Sequence, residues 1–115
     1  MDFKIARKNM VENQIRANKV TSLNVINAFL DVPREKFVPD ALQEISYVDE
    51  DIQLSRNRFM MKPMILARLF QSLNLRGTEN ILHVGSNSGY GSALLSRMCS
   101  SVISLESDKK LFETS

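Results

Sequence analysis

The sequence predicts an α/β chain: a helical N-terminal stretch followed by the opening of a parallel sheet covered by helices. Three observations carry this. Apolar residues recur at helical spacing through residues 3–17, 22–31 and 63–75. Two short apolar runs, Ile81-Leu82-His83-Val84 and Val102-Ile103-Ser104-Leu105, flank the helix-compatible stretch Ser92–Met98. Between the first run and that helix stand Gly85, Gly89 and Gly91, three glycines in seven residues. Small residues between a parallel strand and a helix let backbone approach a ligand closely and aim the helix's free N–H groups at it.

The elements follow in order. Residues 3–17 read as a helix with Ile5, Ala6, Met10 and Ile15 on its apolar side. Asn18-Lys19-Val20-Thr21 breaks it. Ser22 is placed to cap a second helix, on which Leu23, Ile26, Phe29 and Leu30 fall on one stripe. Val32-Pro33 ends that helix, because proline disfavours helical geometry in the residue before it. Pro33 and Pro39 bracket a turn carrying Phe37, and Asp40–Ile45 suits a short helix. Residues 46–54, with Tyr47, Asp49, Glu50 and Asp51, read as an acidic irregular stretch. Residues 55–62, with Arg56, Arg58 and Lys62, read as a basic loop whose charge is solvated. Pro63 opens a stronger helix with Leu66, Ala67, Phe70 and Leu73 on one face. Both apolar runs read as strands buried on two faces, and Asp108 as the cap of a helix starting at Lys109.

Composition narrows the function. With 115 residues and a net charge of +2, the chain has room for one small domain and no nucleic-acid footprint. Cys99 is its one cysteine, so no intrachain disulfide can form; it reads as a small buried hydrophobe. No apolar run approaches membrane-spanning length, and Met1-Asp2-Phe3-Lys4 lacks a signal-peptide core, so a cytoplasmic location with no membrane partner is expected. No cluster has metal-ligand spacing. His83 is the only histidine, and nothing in the sequence gives it a nucleophile to activate. Two parallel strands do not make a free-standing sheet. The chain is therefore expected to be the front of a larger domain, truncated after the second strand, with the exposed edge open to self-association.

The chemistry concentrates in Gly85, Ser86, Asn87, Ser88, Gly89 and Tyr90, with Glu106 lying 21 residues after Gly85 at the tip of the next strand. A carboxylate at that distance suits the two hydroxyls of a ribose. An ordinary βαβ unit with a surface glutamate is the plainer alternative. A dinucleotide fingerprint fails at Asn87 and Tyr90, which argues against a dinucleotide-dependent oxidoreductase, and no Lys-Ser or Lys-Thr follows to make a phosphate loop. Gly-x-x-x-Gly-Tyr after a strand looks more like a turn for S-adenosylmethionine, which has no phosphates to cradle.

Val32-Pro33-Arg34-Glu35-Lys36-Phe37-Val38-Pro39, then Tyr47 and Asp49, Pro63 before a helix, and Ile81 to Tyr90 resemble the protein-L-isoaspartate O-methyltransferases in order and spacing. Met10–Arg16 resembles the bacterial, alphaproteobacterial-like branch. The resemblance implies a Rossmann-like methyltransferase fold dependent on S-adenosyl-L-methionine, divided into an N-terminal helical extension and substrate loop, 1–75, and a first, incomplete βαβ unit, 76–115. It implies methylation of the carboxylate of L-isoaspartyl residues in damaged proteins, a repair reaction on protein or peptide substrates. It assigns Gly85, Ser86, Asn87, Ser88, Gly89 and Tyr90 to the cofactor turn and Glu106 to the ribose. Three positions depart from the family pattern. His83 replaces an acidic residue. Asn87 replaces the middle glycine of the turn. In Phe59-Met60-Met61-Lys62-Pro63, Met61 stands where the family has the serine of Thr-Ile-Ser-Gln-Pro, leaving Lys62 to attract a carboxylate. These departures make a non-catalytic remnant or interaction module the alternative.

Overall fold

Asp2 starts the first helix. In the computed structural model, which describes residues 1–84 and 88–105, its carboxylate accepts from the N–H groups of Lys4 and Ile5 at 3.0 and 3.2 Å. This satisfies two of the four donors that a helix leaves free at its N-terminus. Helix α1 spans Phe3–Met10 and continues through a widened π turn, Val11–Ile15, into a tight turn, Arg16–Asn18. Lys19, at φ 69°, closes it in a left-handed conformation. The inward side holds Met10, Val11 and Ile15, while Ile5, expected inside, is 58% exposed. The run continued inward through Val11, so the stripe bypasses the first turn.

Helix α2 (Leu23–Asp31) buries Val25, Ile26, Ala28 and Phe29. Leu23, expected on that stripe, is 66% exposed, because the helix meets its neighbours one turn further along. Ser22 takes the capping position without a side-chain capping bond. Instead Gln71 accepts from Thr21 N–H and Ser22 N–H at 2.8 and 2.9 Å and donates to the Lys19 carbonyl at 3.1 Å.

Two tight helical turns follow, Arg34–Phe37 and Asp40–Ile45. The stretch expected to be irregular loop contains an antiparallel hairpin, β1 (Ile52–Ser55) and β2 (Arg58–Met60), with Ile52 opposite Met60. Ile52 and Met60 are both buried, which gives the short hairpin an inner side. Helix α3 (Pro63–Ser72) begins with proline at its first position, as expected. It buries Ala67 and Phe70, while Leu73 is exposed.

Strands β3 (Asn80–Val84) and β4 (Ser101–Leu105) pair in parallel, joined through helix α4 (Tyr90–Ser96). Ile81, His83, Val102 and Ser104 are half-buried, while Leu82, Val84, Ile103 and Leu105 are exposed. The expectation of two buried faces is corrected: the described residues cover one. Side chains alternate along a strand, so one set meets the rest of the chain and the other meets solvent.

Helix α4 sits at the centre of the layering. It packs against β4 on one side and against α2 on the other. Tyr90, Leu94, Leu95 and Met98 join the same core as Met10, Ile15, Ile26 and Phe29. The N-terminal helices are thereby fastened to the βαβ unit through the helix that opens at the glycine turn. Burying side chains such as Phe29 and Leu94 stabilises the fold by about 1.5–3 kcal/mol each. Cys99, expected to be buried, is half-buried, and its thiol donates to the Leu95 carbonyl at 3.1 Å.

Candidate functional site

Gly89 makes the turn into α4. It stands in the capping position at φ 85°, a conformation that costs a side-chain-bearing residue about 1–2 kcal/mol. The Ala93 N–H donates to its carbonyl at 2.9 Å. Ser88 is half-buried, and its Oγ accepts weakly from Tyr90 N–H at 3.4 Å. Gly85, Ser86, Asn87 and Glu106, the other residues assigned to the cofactor, lie outside the described residues, as do Asp108 and Lys109.

Tyr90 turns its side chain away from the turn and into the core, where it is 1% exposed. Phe29 meets it edge-on at 6.1 Å between ring centroids, Phe37 lies at 5.6 Å, and the Arg34 guanidinium carbon is 5.0 Å from its centroid. Burial pushes the Tyr90 phenol well above its ordinary range, and the Arg34 charge only partly opposes this. At the turn, then, what Tyr90 can offer a ligand is backbone, while its ring fastens the turn to the N-terminal segment.

The loop before α3 lies on the other side of the same arginine. Met61 and Lys62 are half-buried. The Met61 carbonyl accepts from Arg34 Nη2 at 3.2 Å, and Lys62 N–H donates to Asp51 Oδ1 at 2.8 Å. The thioether of Met61 has no hydrogen to donate, so it cannot do the work of a serine hydroxyl.

His83 points from β3 toward α4. Its Nδ1 is 2.7 Å from Ser92 Oγ, which is in turn hydrogen-bonded to Ser104 Oγ on β4. Burial pulls the imidazole below its ordinary range and favours the neutral form. Nothing in the sequence signalled the Ser92 contact, which depends on α4 folding back over the strand pair.

A polar cluster not expected from the sequence lies beneath the proline-bracketed turn. Tyr47 Oη donates to Glu35 Oε1 at 2.5 Å and accepts from Arg7 Nε at 2.9 Å and from Arg34 N–H at 3.1 Å. Arg7 Nη2 reaches Glu35 at 3.3 Å. Burial pushes Glu35 up, but the hydrogen bond from Tyr47 and the Arg7 charge hold it below the usual carboxylate range. Burial and the bond to Glu35 push Tyr47 up to about 12. One signal was present: Arg34-Glu35-Lys36 lies between Val32-Pro33 and Phe37-Val38, three charges inside an otherwise apolar, proline-limited segment.

A parallel strand pair joined through a helix that opens at Gly89, packed on a helical segment, defines an α/β protein. The family model for protein-L-isoaspartate(D-aspartate) O-methyltransferase matches residues 5–115. The chain belongs to that family. It is 37% identical over 105 residues to protein-L-isoaspartate O-methyltransferase 2 of Anaeromyxobacter sp., covering 91% of this chain and 43% of that protein. It is 37% identical over 106 residues to the protein-L-isoaspartate O-methyltransferase of Syntrophotalea carbinolica, covering 92% and 49%. A Plasmodium falciparum structure described as a protein-L-isoaspartate O-methyltransferase, in complex with S-adenosyl-L-homocysteine, superposes with a TM-score of 0.74 at 26% identity, covering 99% of this chain and 53% of that one. The chain thus spans about half the length of these relatives, and its fold is part of their Rossmann-like α/β fold.

Proposed function

We propose that this chain carries the cofactor turn and substrate loop of an S-adenosyl-L-methionine-dependent methyltransferase acting on L-isoaspartyl residues of damaged proteins. The family match over residues 5–115 carries the reading. The left-handed Gly89 supports it, because a turn with no side chain at that point leaves backbone open to a ligand. When bound, the cofactor supplies an electrophilic methyl group. Gly85, Ser86, Asn87, Ser88, Gly89 and Tyr90 would hold its methionine and ribose end with backbone groups, and Glu106 its ribose hydroxyls. The substrate carboxylate is already a nucleophile, so the chain has no strong base to provide. Its task is to orient the carboxylate and exclude water, with Lys62 as a cation in the loop before α3 to draw the carboxylate in.

In this reading residues 1–75 form the helical extension with the substrate loop, and 76–115 the first βαβ unit. A cytoplasmic setting without nucleic-acid or membrane partners belongs to the same reading. So does self-association along the edge of the two-stranded β3–β4 pair. Met61 favours a second reading, a non-catalytic remnant or interaction module of the family.

Calorimetric titration with S-adenosyl-L-homocysteine, followed by assay of methyl transfer to an isoaspartyl peptide, separates the two. Saturable binding with transfer supports the enzyme and overturns the second reading; a folded chain that does not bind, or that binds without transfer, supports the second reading.

A further inference from the structure

Arg34 is fully buried, and its side chain touches segments far apart in sequence. Nε donates to the Ser46 carbonyl at 2.5 Å, Nη2 donates to the Met61 carbonyl at 3.2 Å, and the guanidinium lies 5.0 Å from the centroid of the Tyr90 ring. Met61 belongs to the loop before α3. Tyr90 directly follows Gly89 in the turn into α4. Two polar atoms in this part of the core, Arg34 Nη1 and Tyr90 Oη, are buried without a hydrogen-bond partner among the described residues. A buried cation with one donor unsatisfied is costly, and an apolar side chain of similar volume would often serve stability as well. A guanidinium is favoured where one rigid, planar group must hold several partners at once, which the ammonium of lysine does not do.

We propose that Arg34 is a positioning residue, a strut that fixes the Met61–Lys62 loop relative to the Ser88–Tyr90 turn, so that displacement at one is transmitted to the other. The functional names of the two segments rest on the reading above; the mechanical link between them does not.

The test is amide hydrogen exchange on the ligand-free chain and on Arg34→Lys, which keeps the charge and loses the fork. The expected result is exchange faster by about tenfold at both 60–62 and 90–93, the size of one lost charge-assisted hydrogen bond, with less than about twofold change along α1 and α2. The near-UV circular dichroism of Tyr47 and Tyr90, the two tyrosines of the chain, should change in the same variant. A uniform rise at all amides, or loosening of one segment alone, overturns the strut. If Arg34→Met fails to fold, Arg34→Lys still decides the outcome. A second arm adds S-adenosyl-L-homocysteine. Protection of 60–62 in the native chain but not in Arg34→Lys supports the link; equal protection in both overturns it. Absence of binding to the native chain counts against the cofactor reading alone, because the ligand-free exchange has already decided the strut.

Discussion

Gly91 and His83 are fitted to each other: a Cβ added at Gly91 would stand 2.9 Å from His83 Cε1. The imidazole occupies the space a side chain would need, and its bond to Ser92 holds it there. The contact leaves no room for a side chain at Gly91 while the ring stays in place.

Gly91→Ala should therefore destabilise the chain. Overpacking costs about 1–3 kcal/mol, and the better helix propensity of alanine returns roughly 1 kcal/mol. Urea denaturation should show a net loss of about 1 kcal/mol. In a His83→Ala background the same change should be neutral or stabilising, since the obstruction is gone.

His83 should also make stability depend on pH. Its folded pKa is lowered from 6.5 by burial, so the unfolded chain binds the proton more readily. The contribution is fully present above pH 6.5 and shrinks as pH falls through the folded value. Thermal unfolding at successive pH values should show this decline, and His83→Gln should flatten it.

The cluster around Tyr47 predicts sensitivity at both ends of the pH scale. Glu35 sits below its ordinary 4.5, so its contribution is present above pH 4.5 and is lost as pH falls through the folded value. Tyr47 is raised from 10.0 to about 12, so its contribution is present below pH 10 and is lost as pH rises toward 12. Tyr47→Phe should remove both dependences in part and cost about 1–3 kcal/mol at neutral pH, because Arg7, Glu35 and the Arg34 N–H each lose a partner. Denaturant titrations run from pH 7 downward past 4.5 and upward from 10 toward 12 would read all three effects.

The start of α2 is capped from another helix. Gln71→Ala should cost about 1–3 kcal/mol, since it frees the N–H groups of Thr21 and Ser22 and the Lys19 carbonyl together. Ser22→Ala should cost less than about 0.5 kcal/mol, well under the usual loss of a capping residue, because its hydroxyl makes no capping bond. If Ser22→Ala proved the more damaging, the cap would be local after all.

Much of this protein is local physics and was therefore legible in the residues. Pro63 starts a helix because its missing N–H is not needed at the first position. Gly89 stands where φ must be positive. The break at Asn18–Thr21 follows from backbone preference, whereas β3 and β4, read as buried on two faces, are covered on one. The family resemblance was legible for the same reason: Val32–Pro39 and Ile81–Tyr90 carry their residues in fixed order. What only the tertiary structure decided is which of several equivalent surfaces is buried. Ile5 and Leu23 lie on apolar stripes yet face solvent, while Arg34, as polar as any residue in the chain, is wholly enclosed. Tyr90 was read as part of the binding turn, but its ring is drawn inward by Phe29, Phe37 and Arg34, which come from more than 50 residues earlier in the chain. Hydrophobic period states that a face will be buried; it does not state against what. That depends on contacts between distant segments, and in this chain α4, packed on both α2 and the strand pair, is where those contacts are made.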